Sequence, residues 1–149
     1  MIKSSLHEFA DRVLESKRIS EYDVRILQRS ILADGIASRE EADVLIALDR
    51  AVGTAHPAWA AYLTGAVVEF VVWTSRPTGM VDADTARWLT ASLGCGAGPT
   101  ETAARIAFEV VKEAERTDEI MLAFAMRAAQ GRQPREEAGE TGVLAKFAA

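Results

Sequence analysis

Three observations predict a single all-α domain, a compact bundle of about seven helices. Apolar residues recur at the i, i+3, i+4, i+7 spacing of a buried helix face in one segment after another. Capping residues or glycine turns separate most of these segments. The chain of 149 residues is 49% apolar and 26% charged, which is enough for one core without disulfides or metals.

Two helices open the chain. Leu6, Phe9 and Val13 line one face of the first helix, over about residues 5–16. Ser20 has the side chain of a helix cap and begins the second helix, whose apolar stripe continues to a glycine turn.

The most specific signal is the joint that follows, A-D-G-I-A-S-R-E-E-A. Gly35 ends the second helix, because glycine adopts the left-handed conformation without a side-chain clash. Ser38 caps a third helix over Arg39–Ala51, and Glu41 is placed to complete a capping box. Polar residues of this third helix, such as Asp43, are expected in water.

The joint recurs in weaker form. G-M-V-D-A-D-T-A at residues 79–86 and G-A-G-P-T-E-T-A at residues 96–103 repeat its glycine, link and cap. A glycine turn that leads into a capped helix is a common hinge, so the repeat indicates little more than helix–turn–helix construction.

The fourth helix, Ala58–Thr74, is predicted to be the central one. Nearly every position is apolar, and a helix that is apolar on most sides is buried on most sides. The β-branched run V-V-E-F-V-V-W also suits a strand, but an isolated strand would leave its backbone groups without partners. We therefore predict a helix here.

Three more helices and a tail complete the chain. Asp82 begins the fifth helix, the sixth covers about residues 100–116, and the seventh runs from Thr117 or Asp118 to Gly131. The predicted domain therefore spans residues 1–131. Residues 132–149 are predicted to be a polar C-terminal tail with an apolar end, V-L-A-K-F-A-A.

Charge and composition narrow the classes of function. A net charge of −5 without a cluster of Lys and Arg argues against nucleic acid as a partner. The single cysteine, Cys95, rules out an internal disulfide and fits a reducing cytoplasm. The most apolar stretch, residues 58–73, is shorter than the ~18–20 residues of a transmembrane segment and contains Glu69. No transmembrane segment is expected.

The joint also carries a resemblance. A-D-G-I-A-S-R-E-E-A-D-V-L-I-A-L resembles the helix–D-G–helix joint of the TerB-like, or tellurite-resistance-protein-B-like, all-α domains. H-P-A-W-A-A-Y-L and G-M-V-D-A-D-T-A-R-W-L resemble an uncharacterised bacterial branch of that group, and the resemblance covers about residues 19–126. It implies a compact helical bundle linked to stress and envelope-associated complexes, without an established enzymatic activity.

A cation site is the sharpest chemical interpretation of the joint. With Gly35 at position six of an EF-hand loop, Asp34 falls at position five and Glu41 at position twelve. Position three would then be Leu32, which cannot ligate a hard cation. Stabilisation of the turn by Asp34 and completion of the cap by Glu41 account for these carboxylates, and weak divalent-metal binding through Asp34, Glu40 and Glu41 stays open as the alternative.

No other pattern indicates catalysis or a cofactor. His7, His56 and Cys95 lack the spacing of a zinc site, and nothing places a base beside Cys95. The segment G-C-G-A-G-P-T lacks the preceding strand of a dinucleotide loop and the Lys of a P-loop. We therefore predict no catalytic residues and no cofactor.

Two functional hypotheses follow. The first is a non-enzymatic protein-interaction or scaffold module, linked to stress response by the resemblance, with a protein partner or a homodimer. Trp59, Trp73 and Trp88 are expected in the core, and an apolar groove between helices would accept a partner helix. The second hypothesis is a divalent-metal-responsive domain that uses the acidic joint.

Overall fold

A computed structural model describes residues 3–130 and confirms the all-α prediction. The seven helices are α1 (Ser4–Ser16), α2 (Glu21–Ile26), α3 (Arg39–Ala51), α4 (Pro57–Val68), α5 (Ala83–Leu93), α6 (Glu101–Glu113) and α7 (residues 119–130). Two of them continue into a π-helical turn, α2 through Leu27–Ile31 and α4 through Glu69–Thr74. The predicted tail, residues 132–149, lies outside the described residues.

In the described part of the chain, four strands of two residues each lie between consecutive helices. β1 (Arg18–Ile19) pairs in parallel with β2 (Thr54–Ala55), and β3 (Met80–Val81) pairs in parallel with β4 (Arg116–Thr117). The sequence did not predict them, because two residues are too few to leave a periodic pattern.

These strand pairs give the chain a structural repeat. The paired residues are the same number of positions apart in both pairs, and each strand connects two helices. The N–H of His56 donates to the carbonyl of Ile19 at 2.8 Å, and the N–H of Asp118 donates to the carbonyl of Val81 at 2.9 Å. The repeat therefore consists of helix–strand–helix units, whereas the sequence repeat marked glycine turns.

α4 is the central helix, as predicted. It packs against α2, α3 and α6, and Trp59, Leu63 and Val67 are buried along it. The wide π-helical turn that follows places both Val71 and Val72 in the core. Trp73 comes next and is 37% exposed, so the expectation that all three tryptophans are core residues was wrong for this one.

Two helix ends differ from the predicted ones. The π-helical turn of α2 ends at Ile31, and a short turn then leads to Gly35, whose φ of +86° explains the glycine. α6 ends at Glu113 rather than at Arg116, because Arg116 belongs to β4 and its N–H donates to the carbonyl of Gly79 at 3.1 Å.

Candidate functional site

The three carboxylates predicted for metal binding do not form one group. Asp34 and Glu40 are exposed, whereas the Glu41 side chain is buried at 1% exposure. Glu41 Oε1 accepts a hydrogen bond of 2.7 Å from the backbone N–H of Ala37. Within residues 3–130 no three His, Cys, Asp or Glu side chains are arranged to hold a metal ion.

The cap of the joint is confirmed, but its second half differs from the prediction. Ser38 Oγ accepts a hydrogen bond of 3.2 Å from the N–H of Glu41. A capping box would have the Glu41 carboxylate accept from the N–H of Ser38, yet it accepts from Ala37. Glu40 interacts with its own N–H and with the Ser38 side chain, and these contacts lower its pKa.

Asp43, on the polar side of α3, is hydrogen-bonded to the rest of the protein, whereas the sequence predicted it in water. Asp43 Oδ1 accepts hydrogen bonds from Trp88 Nε1 at 3.0 Å and from Ser92 Oγ at 2.7 Å. The Arg39 guanidinium lies 5.2 Å from the centre of the Trp88 ring, and it forms an ion pair of 3.0 Å with Asp84. These contacts attach α3 to α5.

A second aspartate of α3 also accepts one hydrogen bond from an indole N–H and one from a hydroxyl group. Asp49 Oδ1 accepts a hydrogen bond of 3.0 Å from Trp59 Nε1, and its Oδ2 accepts one of 2.6 Å from Thr100 Oγ1. Asp43 and Asp49 therefore each fix a tryptophan through its indole N–H. Their oxygens are structural acceptors, so we do not assign them to a reaction.

Two grooves border the exposed side of α4. The first has a volume of about 330 Å³ and lies between the end of α2 and α4, with Gln28, Gly35 and Tyr62 in its wall. The second, of about 340 Å³, lies between α4 and α6. Ala61 and Gly65 line both grooves. We call the surface formed by Ala61, Gly65 and the two grooves the α4 saddle.

The crest of the α4 saddle is formed by residues without large side chains. Ala61 and Gly65 are exposed and stand one helical turn apart. A Cβ added at Gly65 would have no atom within 4 Å, so packing inside the chain does not require a glycine there. The α4 backbone is consequently open to close approach.

Two hydroxyl groups beside the crest have no hydrogen-bond partner in the described part of the chain. Thr64 is 5% exposed and lines the second groove, and its Oγ1 is one of them. The other is the hydroxyl of Tyr62. Burial, and then the negative charge of Glu41, raise the pKa of Tyr62 to about 12. The buried carboxylate of the joint thus acts electrostatically on the wall of the first groove.

The rim of the second groove is acidic. Glu69, Glu109 and Glu113 supply three carboxylates, and Arg105 supplies one guanidinium. The half-exposed ring of Trp73 lies along the same groove. The sequence did not predict that these residues meet at one groove, since they come from two helices that only the fold brings together.

The other residues considered for chemistry have ordinary surroundings. His56 Nδ1 accepts a hydrogen bond of 3.0 Å from the N–H of Ala58 and so caps α4. His7 and Cys95 are exposed. No hydrogen bond connects Cys95 to an imidazole or a carboxylate of residues 3–130.

Comparison of the sequence and the fold with models of protein families, with curated proteins and with solved structures gives no match. In the part of the chain that the structure describes, no helix is both long and apolar enough to cross a membrane. The functional interpretation therefore depends on the geometry of the α4 saddle.

Proposed function

We propose that this protein is a non-enzymatic interaction or scaffold module and that the α4 saddle is where it binds a protein partner. The binding mode is a partner helix that packs against the crest of α4 and lies in the groove between α4 and α6. A place in the stress response is part of the proposal, and it depends on the TerB-like resemblance. A cytoplasmic location is also part of it, since Cys95 is an exposed free thiol.

The proposal rests on Gly65, a glycine in the middle of α4 that packing inside the chain does not require. A glycine in the middle of a helix destabilises it by about 0.5–1 kcal/mol relative to alanine. Nothing within 4 Å of a Cβ at this position requires that loss. Because a glycine allows another backbone or ligand to approach closely, the unoccupied space over Gly65 favours a binding surface.

The surroundings of Gly65 support the same conclusion. A buried hydroxyl without a partner has an unfavourable free energy that a bound polar group would relieve, and both Tyr62 and Thr64 carry one. Tryptophan is enriched in the energetically important centres of protein interfaces, and Trp73 lies partly exposed at the groove. The surface therefore combines close approach and an aromatic anchor, and two buried hydroxyl groups without a partner lie beside it.

The variant Gly65→Leu tests the proposal. A Cβ at this position meets no atom within 4 Å, and leucine has a higher helix propensity than glycine, so the variant should fold. Ala47→Leu, at an exposed position of α3, is the matched control. Immobilised wild-type protein and both variants are compared in quantitative capture of proteins from a lysate of the source cells.

We expect Gly65→Leu to lose the proteins that wild type and Ala47→Leu both retain. Circular dichroism and a urea melt establish that the variants are folded. Identical capture by all three proteins would refute the α4 saddle as the binding surface.

A further inference from the structure

We infer that the segment that fills the α4 saddle is an amphipathic helix with Lys or Arg on the edge that faces α6. This inference names the kind of partner and rests on the proposed function. It is carried by the charge and the shape of the groove between α4 and α6.

The acidic groups of this groove have few partners of their own. Glu109 lies 4.0 Å from Lys112, which is the outer limit of an ion pair, and both side chains are partly or fully exposed. Glu69 and Glu113 form no ion pair with any of residues 3–130. Arg105 and Lys112 supply two positive charges against these three carboxylates, so the groove keeps an excess of negative charge.

The spacing of these groups suits a helix. Arg105, Glu109 and Glu113 are four residues apart along α6, so they stand one turn above another on the same side. A partner helix that runs along α6 would meet the two glutamates at successive turns. Basic residues four positions apart on that helix would pair with Glu109 and Glu113.

The opposite edge of the bound helix must be apolar and narrow. Ala61, Gly65 and Val68 form the wall on the α4 side, and the Trp73 ring lies at one end. Large aliphatic side chains of the partner can pack against Val68 and Trp73, whereas a small residue above Gly65 would let the two helix backbones approach closely. The hydroxyl of Thr64 stands at the same wall without a partner.

A second copy of the chain fits this groove less well. A symmetric contact would set the same acidic rim against itself, and the whole chain already carries a net charge of −5. Like charges across an interface cost several kcal/mol. The charge of the groove therefore favours a basic segment over self-association.

The test uses two synthetic fluorescein-labelled helical peptides of about 18 residues, roughly five turns. They share one apolar face of Leu and Ala and differ only in Lys or Glu on the polar edge. Binding to the 149-residue chain is measured by fluorescence anisotropy at low and high salt. We expect the Lys peptide to bind at least about tenfold more tightly than the Glu peptide, with the difference shrinking at high salt.

Two double variants separate charge at the groove from overall charge. Glu109→Lys with Glu113→Lys reverses the charge at these two positions of the rim and should weaken binding of the Lys peptide about tenfold or more. Asp11→Lys with Glu15→Lys makes the same change in net charge on exposed positions of α1 and should leave the preference intact. Gly65→Leu should abolish binding of both peptides.

The remaining outcomes overturn the inference in distinguishable ways. Equal binding of both peptides, still abolished by Gly65→Leu, would refute the basic partner and leave the proposed function standing. Displacement of the Lys peptide by a synthetic peptide of residues 143–149 would assign the saddle to the chain's own tail. A dimer in sedimentation equilibrium that Gly65→Leu dissociates would assign it to a second copy. Binding of neither peptide would refute the inference, whereas loss of lysate proteins by Gly65→Leu would still support the proposed function.

Discussion

Glu41 Oε1 accepts a hydrogen bond of 2.7 Å from the N–H of Ala37, and the glutamate side chain is buried. The bond connects the first turn of α3 to the link before it. Its charge also contributes to the raised pKa of Tyr62. The carboxylate that looks like a metal ligand in the sequence is therefore an internal acceptor of the joint.

Two substitutions of Glu41 should distinguish the effect of its hydrogen bond to Ala37 from the effect of its negative charge. Glu41→Ala leaves the N–H of Ala37 without its acceptor and opens a cavity, and we expect a loss of about 2–4 kcal/mol in the free energy of unfolding. Glu41→Gln retains an acceptor of nearly the same shape and should lose much less. Urea unfolding followed by tryptophan fluorescence measures both, and equal losses would contradict the assigned hydrogen bond.

Divalent metals should leave the thermal midpoint unchanged. A ligand that binds only the folded state must raise the midpoint, but Asp34, Glu40 and Glu41 do not converge on one point. Melts in excess calcium, magnesium or zinc and in chelator are therefore expected to coincide. A rise in the midpoint that Asp34→Ala removes would instead support the metal-responsive hypothesis.

Local chemistry explains what the sequence predicted well. A cap needs only a side chain and an N–H three positions later, so Ser20 and Ser38 could be identified as caps from the residues alone. The burial of α4 also follows from its own composition. These features depend on neighbours in the chain, which the sequence displays directly.

Contacts between distant parts of the chain could not be predicted in the same way. Asp43 is an ordinary polar position by helical periodicity, and only the packing of α5 brings Trp88 to it. The acidic rim of the second groove likewise combines Glu69 of the π-helical turn with residues of α6. Both depend on how helices pack, for which one sequence without its fold carries no signal.

Removing the carboxylate of Asp43 should weaken the attachment of α3 to α5. Asp43→Ala leaves the indole N–H of Trp88 and the hydroxyl of Ser92 without their acceptor, and we expect a loss of about 1–3 kcal/mol in the free energy of unfolding. Asp11→Ala, at an exposed site of α1, serves as the control and should change it by less than about 0.5 kcal/mol. Equal effects in urea melts would disprove the structural importance of the Asp43 contacts.

Stability at acid pH should depend on Asp23. Burial alone raises the pKa of this carboxyl, but hydrogen bonds from Ser20 and from Arg12 outweigh burial and hold the pKa below its usual range. A folded-state pKa below the unfolded one means that the ionised group stabilises the protein above about pH 4. That contribution is lost as the pH falls from about 4 through the folded-state pKa.

The variant Asp23→Ala tests this pH dependence. At pH 7 its free energy of unfolding should be about 1–3 kcal/mol lower than that of wild type, because the capping box and the ion pair with Arg12 are lost. The difference should narrow as the pH is lowered from 4 toward 2. Urea melts of both proteins over this pH range measure the difference in the free energy of unfolding. A difference that is independent of pH would show that the charge of Asp23 is not involved.

Gly65→Ala should make the protein more stable and bind less well. The added methyl group meets no atom within 4 Å and improves helix propensity, so the free energy of unfolding should rise by about 0.5–1 kcal/mol. The same methyl group occupies the crest of the α4 saddle and should weaken binding of the Lys peptide. Gly53→Ala also has no atom within 4 Å of the new Cβ but lies outside the saddle, so it should leave peptide binding unchanged. If Gly65→Ala lowered the stability, the glycine would have a structural function inside the chain, and the principal argument for the binding surface would fail.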